Sequence, residues 1–338
     1  MMKTTLALTY LGLSVGLLTA ADYPEAEITN GQIRARMYLP DVENGYYRGT
    51  RFDWSGALYS LKYKGHDYYG PWYQKTDPEI RDFVYKGPDI ITGTNSSITG
   101  PVDAFGPVGW DDAEPGGTFI KVGIGALRKP DEGRHDSYRV YEIADAGKWT
   151  ITKRPDSVKF THELADASSG YGYVYRKTVR LADGKPELVL EHSLRNTGTR
   201  AIETTVYNHN FLVLDKQPPG PDFLITVPFQ IQSSRPPNKE LAEIRGNQVV
   251  YLKTLENRDS VATPVEGFND SSSDHQIRIE NSKLGAGMTI SGDRPLSRVY
   301  LWSIRTTISV EPFVAIAIEP GMEFTWQSTY NFYTLPEI

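Results

Sequence analysis

The sequence predicts an all-β chain built of large antiparallel sheets, on three observations. Apolar and polar residues alternate in runs of five to ten positions from Glu27 to the C-terminus, the signature of half-buried strands. Gly, Pro, Asn and Asp separate these runs, as turn residues do. Sustained helical periodicity is hard to find anywhere after the first two dozen residues.

In chain order, the strand candidates begin with Gln32–Met37 and Ala57–Tyr63. Thr118–Ile124, Tyr138–Asp145, Trp149–Arg154, Ser157–Leu164, Gly172–Arg180, Glu187–Asn196 and Ala201–Asn210 follow. Gln276–Glu280, Gly287–Ser291, Arg298–Ser303, Phe313–Ile318 and Phe324–Tyr333 complete the set. So many strands in one chain imply two large sheets packed face to face. Between Tyr68 and Gly117 the chain is rich in Gly, Pro, Asp and aromatics, with little alternation. A long irregular loop holding Trp72, Phe105 and Trp110 reads as a rim over a functional face. Pro218–Pro221 and Asn269–Asp274 read as surface turns, and there is no linker or internal repeat, so residues 22–338 count as a single domain.

Residues 1–21 read as a secretory signal peptide: Lys3, an apolar stretch from Leu6 to Leu18, then the small residues Thr19, Ala20 and Ala21, with cleavage after Ala20 or Ala21. That stretch is shorter than the roughly 20 residues of a spanning helix, so no stable membrane insertion is expected after cleavage. The chain has no cysteine among its 338 residues, so a conventional core rather than disulfides must hold it. Export by a bacterium, to the periplasm or beyond, is the expected localisation. The 36 basic and 42 acidic residues form no basic run, so nucleic acid is not an expected partner. The 21 tyrosines and 6 tryptophans suit either strands or a carbohydrate surface. Nothing in the sequence specifies an oligomeric state.

Chemistry concentrates in Ala201–Asn210, AIETTVYNHN. Period two sends Ile202, Thr204 and Val206 to one face and Glu203, Thr205, Tyr207 and His209 to the other. A histidine on the polar face exchanges protons near neutral pH, as opening a sugar ring requires. The frame NTGTRAIETTVYNHNF resembles the aldose 1-epimerases of the galactose mutarotase-like superfamily, in which a central strand ends in Asn-His-x-(Tyr/Phe). Here that element is Asn208, His209, Asn210 and Phe211. The opening ITNGQIRARMYLP with SGALYSLKYKG, and the tail VEPFVAIAIEPGMEFTWQSTYNFY, look similar to the first and last strands of that family.

The resemblance implies a β-supersandwich in which His209 is the acid and a glutamate the base. Glu311 in SVEP and Glu319 in IEPG compete for the base. Glu311 is favoured, because Pro320–Glu323 matches the turn before the final strand. The pair is expected to bracket a pyranose ring, about 5–10 Å apart, as paired sugar-active groups do. Asn208, Arg51, Lys121, Tyr175 and Lys177 are the candidate substrate ligands, the last two from a ladder with Tyr171 and Tyr173 on one strand face. The family's second histidine, in a His-Gly setting, has no match: His66 precedes Asp67 and His135 lies in a charged loop, while His192 reads as a core histidine.

No phosphate-binding loop, dinucleotide fingerprint, nucleophile elbow or zinc-protease motif is present, and neither a cofactor nor a metal is expected. Three functions follow as expectations. The first is anomer interconversion of a sugar or glycan fragment, the second non-catalytic carbohydrate binding on the same fold, and the third a relative of polysaccharide lyases or hydrolases.

Overall fold

Alternating burial along the strands sorts the chain into two facing layers. The computed structural model describes residues 23–336, and the predicted signal peptide lies outside them. One layer is a ten-stranded antiparallel sheet. Its order runs Lys148–Lys153, Ser157–Asp166, Tyr171–Leu181, Glu187–Asn196, Glu323–Thr334, Ala286–Gly292, Gln276–Asn281, Phe223–Thr226, Gln248–Tyr251 and Ala242–Arg245. The other layer combines two sheets. A five-stranded sheet runs Ser260–Pro264, Arg298–Ile304, Thr307–Ile318, Ile202–His209 and Val102–Phe105. A four-stranded sheet runs Glu25–Thr29, Ile33–Tyr38, Ala57–Tyr63 and His66–Tyr69. Leu212, bridged to both Tyr69 and Ile308, joins the two into one surface.

Between the layers, Leu188, Leu190, Ile290 and Phe332 of the ten-stranded sheet share one apolar core with Leu58, Leu61, Leu301 and Val310. Each is fully buried, worth about 1.5–3 kcal/mol apiece. Two large sheets are therefore what the alternation predicted.

Three local expectations are corrected. Tyr138–Asp145 shortens to a strand at Ile143–Asp145, because the backbone before it is held by side chains instead: Asn95 Nδ2 donates to Arg139 O at 2.7 Å and Tyr141 OH accepts from Asp136 N at 2.8 Å. The rim from Tyr68 to Gly117 is less irregular than expected. It contains a small sheet of Lys75–Thr76, Phe83–Lys86 and Asp89–Thr92, and it supplies Val102–Phe105 to the five-stranded sheet. Finally, the strand expected from Phe313 begins at Thr307, so Glu311 stands on a strand. Pro312 hid this, since proline argues against a central strand.

The structure accommodates Pro312 by interrupting the ladder. Phe313 O accepts from Ser297 N on the side of Arg298–Ile304, so the neighbouring Pro312 nitrogen turns toward Ile202–His209, where it has no N–H to offer. The ladder between those two strands runs from Ile202–Ile318 to Tyr207–Phe313 and resumes at the Leu212–Ile308 bridge. Across the gap, side chains stand in for rungs. Asn210 Nδ2 donates to Val310 O at 2.5 Å, and Asn210 N donates to Ser309 Oγ at 3.0 Å.

Candidate active site

His209 and Glu311 lie in this gap. Three neighbouring strands turn alternate residues toward one cavity: Tyr207 and His209, Glu311 and Phe313, and Arg298, Tyr300 and Trp302. Segments of the N-terminal half, among them the start of the strand Phe83–Lys86, close it from above with Arg51, Trp72, Asp82, Phe83, Ser96 and Tyr138. Its volume is about 410 Å³, within the range of roughly 300–1,000 Å³ usual for small-molecule sites.

His209 is held on every side. Its ring stacks on Phe211 at 3.6 Å between centroids and meets the edges of Phe52 and Trp302. Phe211 reaches this position through a left-handed backbone, φ 41°, a conformation rare for a bulky residue. His209 Nδ1 is hydrogen-bonded to Ser309 Oγ at 2.9 Å, and Nε2 lies 3.1 Å from Glu311 Oε1. Both side chains are almost fully buried.

Burial therefore governs their protons. It pushes the Glu311 carboxyl up to about 8, against the opposing pull of Arg51, the Ser309 hydroxyl and Arg298. It holds His209 well below its ordinary value, and the charge of Arg51 adds to this. Desolvation disfavours the charged form of each group, so near neutral pH the pair rests uncharged, with one transferable proton between Oε1 and Nε2. Contact at 3.1 Å corrects the expected wider spacing.

Arg51 stays charged on the cavity wall, over the rings of Phe52 at 4.6 Å and Tyr138 at 4.7 Å. Its Nη1 is 3.9 Å from Asp82 Oδ1 and 3.5 Å from Ser96 Oγ, while Nε is buried without a hydrogen-bond partner.

The other expected ligands do not reach the cavity. Asn208 points the opposite way from His209, donating to Asp103 Oδ1 at 2.6 Å and accepting from Ser328 Oγ at 3.3 Å. Lys177 is fully buried between the layers, 2.6 Å from Asp103 Oδ2, 3.6 Å from Asp53 Oδ2 and 2.9 Å from Ser55 O. Tyr175 donates to Asp53 Oδ2 at 3.1 Å. Lys121 is buried with its Nζ on Phe105 O. The Tyr171–Lys177 ladder does share one face, but the face turns inward, so a substrate-lining role for Tyr175 and Lys177 gives way to a core role. Glu319 is exposed and outside the cavity, whereas Glu311 lines it. His66 pairs with Asp215 at 2.7 Å, and His192 with Asp103 at 3.1 Å. Among the described residues, no three His, Asp or Glu side chains are placed to hold a metal ion, and no helix is long and apolar enough to cross a membrane.

Arg298, Tyr300 and Trp302 were missed as site residues although their signal is the one that marked His209. In RVYLWS a charged and aromatic face alternates with the apolar Val299 and Leu301.

A two-layered all-β sandwich with one polar, aromatic-walled cavity on its five-stranded sheet defines the class of this protein. No protein-family model matches the sequence, and no curated protein does. Solved structures do. A galactose mutarotase related enzyme from Lactobacillus acidophilus matches at TM-score 0.52 and 14% identity, over 93% of this chain and 99% of that one. A galactose mutarotase-like protein from Clostridium acetobutylicum matches at 0.53 and 11%, over 92% and 95%. An aldose epimerase homologue from C. elegans matches at 0.50 and 13%, over 94% and 100%. At such identities the likeness is one of architecture, and the chain has the galactose mutarotase-like β-supersandwich fold.

Proposed function

We propose that the cavity binds a sugar and interconverts its anomers by acid–base ring opening. The observation that carries this reading is the His209–Glu311 pair, a carboxyl and an imidazole 3.1 Å apart on the wall of one sugar-sized cavity. Anomer exchange needs one acid and one base at once, which is the proton count the pair holds. While the two groups are in contact, the proton that burial leaves on Glu311 passes to His209 Nε2. With the sugar between them, the Glu311 carboxylate then takes the proton of the anomeric hydroxyl while the His209 imidazolium gives its own to the ring oxygen. The bond from the anomeric carbon to the ring oxygen breaks and the aldehyde forms. Rotation and reversed transfers close the ring on its other face. Ser309 on Nδ1 orients the imidazole, leaving Nε2 for the substrate.

The 3.1 Å closure favours a second reading, a carbohydrate-binding protein in which the pair stays shut and the aromatic wall of Trp72, Phe83 and Trp302 holds the sugar. Anomer exchange followed by NMR on a panel of aldoses separates the two. Accelerated exchange supports catalysis, whereas sugar binding without acceleration on any aldose decides for the binder. Export belongs to the same proposal: N-terminal sequencing of the secreted protein is expected to begin at Ala21 or Asp22.

A further inference from the structure

The cavity holds more positive charge than it neutralises. Two guanidiniums line it, Arg51 and Arg298, against two carboxyls, Asp82 and Glu311. Glu311 keeps its proton near neutral pH, since burial pushes it up to about 8. The Asp82 carboxylate is already engaged, accepting from Ser96 Oγ at 2.6 Å, and stands at 3.9 Å from Arg51. Arg298 is exposed to the cavity over Tyr300 at 5.2 Å and Phe313 at 5.1 Å, and among the described residues it forms no ion pair. Other arginines of the chain are matched more closely, such as Arg36 with Glu25 at 2.6 Å, Arg180 with Glu191 at 2.7 Å and Arg200 with Asp112 at 2.6 Å.

A guanidinium is a planar fork of donors suited to a carboxylate or phosphate. Arg51 leaves its buried Nε unpartnered, a donor that folding has already stripped of water. Trp72, Trp302 and Phe83 stand beside the arginines on the cavity wall, and a charge contact shielded from water by their rings is stronger than one in bulk solvent. A neutral sugar supplies hydroxyl oxygens but no counter-charge.

We infer that the cavity prefers a sugar bearing an anionic group, carboxylate or phosphate, held by Arg51 and Arg298 while the anomeric end meets His209 and Glu311. The inference deepens the proposed function, and its catalytic part rests on that reading. An exocyclic group at C6 fits the arrangement. It is attached through C5 to the ring oxygen, so one molecule can offer its anion to the arginines and its ring oxygen to the pair.

Calorimetric titration of the purified protein with glucose, galactose, glucuronate, galacturonate and glucose 6-phosphate tests it, alongside NMR exchange on the same sugars. The expected result is that at least one anionic sugar binds about tenfold or more tightly than its neutral parent, one charge-assisted contact being worth about that much. The uronate and phosphate arms show which anion is taken. Arg298→Gln, at an exposed position that leaves the core alone, is expected to reduce the preference to within about threefold, by the same arithmetic. Arg245→Gln makes the same charge change outside the cavity and is expected to leave the preference intact. Equal affinity for neutral and anionic sugars overturns the inference, as does a preference that survives Arg298→Gln. Accelerated exchange of neutral sugars without anion preference overturns this inference and leaves the proposed function standing. Selective anion binding without acceleration does the reverse.

Discussion

Two clusters of ionisable groups lie back to back across the strand Ile202–His209, and they behave oppositely. In the layer between the sheets, Asp103 receives Lys177 at 2.6 Å, His192 Nε2 at 3.1 Å and Asn208 Nδ2 at 2.6 Å. Burial alone would raise its pKa, but Lys177 and His192 outweigh burial and hold the carboxyl well below the usual range. Lys177 is correspondingly held above its ordinary value, the two aspartates outweighing its own desolvation. On the cavity side, Glu311 is just as buried and its close partners, His209 and the Ser309 hydroxyl, carry no charge, with its cations farther off. There burial wins and the carboxyl rises to about 8. Equal burial therefore gives opposite shifts at Asp103 and Glu311, and what differs is a cation in contact: Asp53, 3.6 Å from the same Lys177 and beside the Asp103 charge, is raised by burial as Glu311 is. A cation at contact locks a carboxylate's charge in place as structure, whereas a buried carboxyl without one keeps a proton that can move.

The contrast can be broken at several points. The largest effect is expected on the cavity side. Glu311→Gln and His209→Gln each lower anomer exchange about 10²- to 10⁴-fold, with circular dichroism melts shifting by only a few degrees. A variant exchanging at the wild-type rate removes its residue from the chemistry. Next comes the inner cluster. Lys177→Met leaves Asp53 and Asp103 buried without their cation, and a loss of about 3–5 kcal/mol is expected in urea unfolding. Unchanged stability there would dissolve the distinction between the two clusters.

The third effect has a defined pH window. Glu311 binds its proton more tightly folded than unfolded, so its contribution to stability is complete below about 4.3, the unfolded value. That contribution is lost as pH rises through about 8. Relative to wild type, Glu311→Gln is thus expected to gain melting temperature between pH 5 and pH 9, and a flat difference would refute the raised carboxyl. Anomer exchange is expected to fall over the upper part of the same window, as the pair gives up its proton. The smallest effect sharpens the boundary between the clusters. Tyr330 OH donates to Asn210 Oδ1 at 2.8 Å, and Tyr330→Phe is expected to cost about 1 kcal/mol, read from the denaturation midpoint.

The two layers were legible because period-two alternation is local and survives in almost every long strand. His209 was legible for the same reason, and Glu311 from its order before the Pro320–Gly321 turn. Alternation says which residues share a face but not whether that face looks inward or outward. Tyr175 and Lys177 were assigned to a substrate on that missing information, and the structure turns their face to the core. Arg298, Tyr300 and Trp302 carry the same alternation as Tyr207 and His209, without the neighbouring Asn-His frame that drew attention to those. Asp82, Ser96 and Tyr138 reach the cavity from loops. Their positions depend on long-range contacts such as Asn95 to Arg139 O, which no local pattern encodes.

The missing rungs beside Pro312 bear on how the cavity yields. A continuous ladder resists spreading because each added ångström strains a row of backbone bonds together. Between residues 208–211 and 309–312 that row is replaced by the side-chain bonds of Asn210 and by the His209–Glu311 contact itself. The backbone row is thus interrupted at this seam, intact from Ile202 to Tyr207 and rejoined at Leu212. In the proposed reaction, an entering ring would have only the two groups at this seam to part, with the ladder from Ile202 to Tyr207 left in place.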